Sequence, residues 1–142
     1  SGGVEGELAQ LCASGQHDTA ALKLKRWMRL FPDAFYVDLS RCRRGDENQI
    51  TSILARMASE AGCPAVATND VRFLKREDFH AHEARVAIAQ GWTLSDARRP
   101  KRYSPEQYLK SPAEMAVLFA DMPEALSNTV DLARRCTFSL QT

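Results

Sequence analysis

"FYVDLSRCRRGDENQITSILARMASEAGCPAVATND", Phe35 to Asp70, decides the fold. Its first six residues are short and rich in β-formers, so Phe35–Ser40 reads as a strand. Polar "RCRRGDEN" follows. Asp46 is placed to cap a helix, with Gln49 three residues on as its capping-box partner. Ile50, Ile53, Leu54, Met57, Ala58 and Ala61 then fall on one helical stripe. Gly62 is predicted to stop that helix. "CPAVATND" is a short apolar run ending in a polar loop, and reads as a second strand. Strand, helix and strand with a crossover of this size form a βαβ unit, so the strands are predicted to be parallel. The fold class is α/β, with few strands and many helices.

Outward from this unit, helical patterns dominate. Val4–Ala13 is a short helix. Asp18–Phe31 is a stronger one, with Leu24, Trp27, Met28 and Phe31 on one stripe and Pro32 at its end. Glu77–Gln90 is predicted helical and stopped by Gly91. Its apolar residues spread around the wheel, Phe79 and Val86 on one side and Ala81, Ala84 and Ile88 on the other, which predicts burial on more than one side. "SPEQ" (Ser104–Gln107), "SPAE" (Ser111–Glu114) and "DMPE" (Asp121–Glu124) all read as helix starts with proline in the first turn. The helices they open carry Met115, Leu118, Phe119, Met122, Leu126, Val130 and Ala133. "TFSL" (Thr137–Leu140) reads as the start of a further strand. Two strands are few beside the usual about 5–6 in a sheet. The chain therefore reads as part of a larger α/β structure with a helical extension. Its opening on Ser1 rather than Met points the same way.

Composition excludes several classes. Of 142 residues, 44% are hydrophobic and 26% charged, which suits a packed core and argues against disorder. Lys plus Arg number 19 against 18 Asp plus Glu, so no global field draws the chain to nucleic acid or membrane. No apolar run approaches the about 20 residues needed to span a bilayer, and no signal-peptide pattern opens the chain. Cys12, Cys42, Cys63 and Cys136 form no C-x-x-C pair, which fits reduced thiols in a cytoplasm.

Candidate chemistry gathers after the two strands, where α/β proteins carry function. Asp38 shares a strand face with Tyr36 and Ser40. A carboxylate there is costly unless paired, and Arg72, at the end of the neighbouring strand, is an obvious partner. Asp70 sits just past "VAT", in an Asn-Asp loop position that more often serves turn or cap chemistry. Two residues on, where a second metal ligand such as histidine would suit, stands Arg72, whose guanidinium has no lone pair to give. His80 and His82 lie about 200° apart on a helix and cannot share a ligand. Zincin spacing would need a histidine where Val86 stands, so His82 reads as a core residue. "RRPKR" is the densest basic run. Its Arg98, Arg99, Lys101 and Arg102 form either a solvated loop or a phosphate contact. No P-loop, G-x-G-x-x-G or G-x-S-x-G occurs.

"FYVDLSRCRRGDEN", "GCPAVATNDVRFLKREDFHAHEARVAIAQGWTL", "RYSPEQYLKSPAEM" and "LFADMPEALSNTVDLARRC" together resemble the alpha-subunit family of bacterial DNA polymerase III, the replicative polymerases. Gly62–Leu94 carries the most specific part of that resemblance. It implies the C-terminal half of the family's PHP domain over residues 1–103, a partial β/α barrel. Residues 104–142 are then a helical extension leading toward the polymerase core. Metal-binding PHP domains carry Asp-x-His after the strand matching "AVAT". Here that place reads Asp70-Val71-Arg72. A second family position holds Glu on the strand matching "FYVDL" and His beyond it, where this chain has Asp38 and Cys42. The resemblance thus implies a vestigial metal site at Asp38, Cys42, Asp70 and Arg72, with Arg72 held in an ion pair by Asp70 or Asp38. It implies no catalytic residue in this segment, and Mg²⁺ only in the parent polymerase core. The expected parent activity is DNA-templated DNA synthesis. The expected partners are DNA and the replicase subunits, chiefly the epsilon proofreading exonuclease, with no membrane. The alternative is a residual metal-dependent phosphoesterase using Asp70, Asp38 and Cys42.

Overall fold

The computed structural model of the chain describes residues 1–139. Its elements, in order, are a 3₁₀ turn (Gly3–Glu5), α1 (Glu7–Ala13), α2 (His17–Leu30), β1 (Val37–Ser40), α3 (Glu47–Ala61), β2 (Ala65–Thr68), a second 3₁₀ turn (Arg76–Asp78), α4 (Phe79–Gln90), α5 (Pro112–Leu118) and α6 (Pro123–Arg135). β1 and β2 pair in parallel with Val37 opposite Ala65 and Ser40 opposite Thr68, as the βαβ reading predicts. Gly62 ends α3 in the left-handed region at φ 66°, which glycine adopts without a Cβ penalty.

The core lies where α1, α2 and α3 meet the sheet. Leu8, Leu24, Val37, Leu39 and Leu54 are all buried in it. Phe119 and Ala125, from the C-terminal helical segment, are buried in the same cluster.

α6 closes the outer edge of β2. Thr129 Oγ1 accepts from the Ala67 N–H at 3.0 Å and lies 3.1 Å from the Ala67 carbonyl. Asn128 Nδ2 donates to the Ala65 carbonyl at 2.9 Å. Side chains thus satisfy backbone groups that a third strand would otherwise take. On the outer edge of β1, the Ser1 amine donates to the Tyr36 carbonyl, and Ser1 Oγ accepts from the Asp38 N–H at 2.8 Å.

Several local expectations are corrected. The β1 strand begins at Val37, two residues later than read. Asp46 makes no side-chain cap. Glu47 reaches back instead, accepting from Ser40 Oγ at 2.8 Å and from the Cys42 N–H. "SPEQ" starts no helix, although Ser104 and Gln107 make capping-box contacts: Glu106 N–H to Ser104 Oγ at 3.1 Å and Ser104 N–H to Gln107 Oε1 at 3.0 Å. The backbone beyond it pairs sideways, with Arg72 N–H donating to the Gln107 carbonyl at 2.8 Å and Leu109 N–H to the Phe73 carbonyl at 3.1 Å. Those tertiary bonds outweigh one cap. In "DMPE" the N-cap is Met122, because the Asp121 carboxylate is taken by Arg41.

α4 buries one face only, through His82, Glu83 and Ala87. Ile88 is 81% exposed. The wheel's scattered apolar residues are small or outward, while buried ionic and aromatic contacts fix the helix. His82 is a core residue as read, with Tyr103 edge-on at 4.6 Å. The "TFSL" strand is not formed over residues 137–139, and Leu140 lies outside the described residues. Among the described residues no helix is long and apolar enough to cross a membrane.

Candidate functional site

Both strands point their C-terminal ends into loops that meet over a cleft of about 180 Å³, lined by Asp38, Ser40, Arg44, Thr68, Asp70 and Arg72 together with residues 2–5. The parallel register causes this meeting. Asp38 and Thr68 leave adjacent strands two residues apart in register, and Thr68 Oγ1 donates to Asp38 Oδ1. Asp38 is therefore held by a hydroxyl and not by Arg72, the partner first expected.

Arg72 pairs with Asp70, Nη2 to Oδ1 at 2.8 Å. A second arginine, from the β1 loop, takes the other oxygen: Arg44 Nη1 to Asp70 Oδ2 at 2.8 Å. Gln107 Nε2 also donates to that oxygen at 2.9 Å. Asp70 itself has φ 40°, a left-handed conformation that aspartate tolerates better than most residues. Both of its oxygens are thus engaged by donors from three separate segments.

Arg44 continues the network inward. Its Nη2 lies 3.1 Å from Glu47 Oε1, and the Glu47 side chain is 1% exposed. Glu47 accepts from Ser40, Cys42 and Arg44, so its burial is compensated by charge and hydrogen bonds. Cys42 is fully buried, and its thiol donates to the Asn69 carbonyl at 3.1 Å. Burial first, then the nearby Glu47 carboxylate, pushes that thiol up to about 12. Cys42 does not line the cleft. Among the described residues, no three His, Cys, Asp or Glu side chains form a group able to hold a metal ion.

The basic run divides. Arg99 is 8% exposed and pairs with Glu83 at 2.6 Å, so it lies inside the protein and not on a solvated loop. Arg98 is exposed but tied to Asp96 at 2.8 Å. Lys101 and Arg102 are exposed.

Of the four positions singled out in the sequence, the structure places Asp38, Asp70 and Arg72 in one cleft and Cys42 outside it, and it adds Arg44, Glu47 and Gln107 to their network. The spacing of Arg44 and Glu47, three apart across a helix start, was the available signal for the first pair. Gln107 gave none, because it read as a cap residue.

No family model matches the chain. Curated relatives do. The chain is 50% identical over 141 residues to the DNA polymerase III subunit alpha of Pseudomonas aeruginosa, covering 99% of this chain and 12% of that protein. The same-named proteins of Vibrio cholerae and Escherichia coli K12 are 45% and 43% identical over 141 residues, with the same coverage. The chain therefore spans about 12% of the length of these relatives. Along nearly its whole length, it is a homologue of one segment of the bacterial DNA polymerase III alpha subunits.

Proposed function

We propose that the chain is a segment of the DNA-synthesising alpha subunit of a bacterial replicase, working in the cytoplasm. It serves there as a scaffold built on a partial PHP-type barrel, and it offers a surface to the epsilon proofreading exonuclease. Its cleft is a former metal site turned into a fastener. Polymerisation, with its Mg²⁺, belongs to the core of the parent protein.

The observation that carries this reading is the engagement of Asp70. A divalent cation does not fit the donor set. Both Asp70 oxygens accept from guanidinium groups, and two positive charges stand where a cation would sit. Cys42, another family position, is pushed up to about 12 by burial, spends its thiol on the Asn69 carbonyl and does not line the cleft. The cleft's other carboxylates, Asp38 and Glu5, form no group of three metal ligands with any described residue. The exposed Lys101 and Arg102 are available to a DNA backbone. Replacing both should then lower the salt dependence of DNA binding by the full-length protein.

The test is nuclease activity of the full-length protein with manganese or zinc. No metal-dependent hydrolysis above background is expected, and Asp70→Ala should leave that background unchanged. Hydrolysis that requires metal and is lost in Asp70→Ala would overturn the reading in favour of a residual phosphoesterase. Docking is tested by cross-linking the full-length protein to epsilon. Cross-links within this segment are expected, and their absence removes the docking role.

A further inference from the structure

Residues Ser104 to Leu109 run as a strap across the loops that follow both strands. Ser104 Oγ donates to the Cys42 carbonyl in the β1 loop. In the β2 loop, Asn69 Nδ2 donates to the Glu106 and Tyr108 carbonyls at 3.1 and 2.6 Å. Two backbone bonds join the strap to Arg72 and Phe73, and Phe73 bridges Tyr108 in parallel sense.

Gln107 sits at the centre with 0% exposure. Its Nε2 donates to the Asp70 carbonyl at 3.2 Å and to Asp70 Oδ2 at 2.9 Å. Its Oε1 accepts from the Ser104 N–H at 3.0 Å. One buried amide therefore holds the strap's own turn and the carboxylate that the two arginines grip.

The strap leads within two residues to Ser111, the N-cap of α5. The far end of α5 is tied to the first of these loops, the one after β1. Arg41 donates to the Leu118 carbonyl at 2.7 Å and forks onto Asp121 at 2.6 and 2.7 Å. The helical segment is thus anchored at both ends to loops that form the ionic cleft.

We propose that Gln107 is a positioning residue that couples the charge arrangement around Asp70 to the placement of α5. Whatever alters the Asp70 pairing loosens the strap, and whatever pulls α5 away releases Asp70, because coupling between two sites is reciprocal. This rests on the reading of the cleft as a fastener, since a metal ion would compete with Gln107 for Asp70 Oδ2.

The test is hydrogen exchange on the full-length protein, followed by mass spectrometry of peptides from this segment. Gln107→Glu sets one carboxylate against another. Exchange of the Arg72 and Leu109 amides and the first amides of α5 should speed up about tenfold or more, with β1 and α3 unchanged. Adding Asp70→Asn relieves the clash of the two carboxylates but gives up the two arginine pairs, and should return part of the lost protection. A double variant no better than Gln107→Glu overturns the coupling. So does exchange that speeds up equally in β1 and α3. Should Gln107→Glu fail to fold, Gln107→Met removes the amide without adding charge. It should speed exchange in the strap and α5 alone, and unchanged exchange there overturns the proposal. Manganese added to the parent protein separates the two readings. Manganese-dependent protection at Asp70 overturns the fastener, while the double-variant rescue still decides the coupling.

Discussion

Asp70 is gripped by two arginines that differ in their surroundings, and that difference sets what each is worth. The Arg44 side chain is 14% exposed and also serves the buried Glu47. The Arg72 side chain is 41% exposed, and beside Asp70 it meets only the Tyr103 ring, at 5.7 Å. Removing one partner of a buried pair leaves an uncompensated charge, whereas a solvated pair is screened. Arg44→Met is therefore expected to destabilise the fold by about 2–4 kcal/mol, and Arg72→Met by about 1 kcal/mol or less, in urea unfolding. High salt should shrink the second difference more than the first. The thiols offer a second check at this scale. Cys42, held near 12 by burial, has a thiolate fraction of about 10⁻⁴ at pH 8. Cys12 and Cys63 are also buried and shifted up, and Cys136 is exposed. A thiol reagent should label Cys136 quickly and Cys42 only on unfolding. Rapid labelling of Cys42 in the native protein would mean that the β1 loop opens.

At the scale of elements, "SPEQ" and "SPAE" have the same signature and different fates. Ser111 and Glu114 form a capping box and open α5. Ser104 and Gln107 make similar side-chain contacts, but the chain then bridges to Phe73 and no helix follows. A capping signature states what a segment does when nothing else claims its backbone, and here a neighbouring loop did. The βαβ unit was legible because its signals were redundant: a clean helical period, a glycine stop and two apolar runs. Asp38, Asp70 and Arg72 were legible as cleft residues because they follow those strands. Arg44, Glu47 and Gln107 were not, because long-range packing alone gives them their partners. The α5 cap also responds to acid. Hydrogen bonds from Tyr108 and then from Ser111 pull Glu114 down to about 2. Its folded value lies below its unfolded one, so its contribution is present above the ordinary glutamate range and is lost as pH falls toward about 2. Amide exchange in the first turn of α5, taken relative to the intrinsic amide rate at each pH, should rise as pH falls across that window in the parent protein. In Glu114→Gln it should be faster at neutral pH and change less across the window.

For the whole molecule, one core takes residues from α1, α2, α3, α5 and α6 and from both strands. The C-terminal helical segment packs against the sheet, with Thr129 at the β2 edge. Thr129→Val keeps the shape and strips the hydroxyl from two buried backbone groups. A loss of about 1–3 kcal/mol is expected, measured by urea unfolding. A neutral result would mean that water replaces the hydroxyl.

The plugged rim of β2 leaves the molecule lopsided. A foreign strand finds no free backbone at Ala65 and Ala67, and along β1 it would have to displace Ser1 from Tyr36 and Asp38 before it could pair.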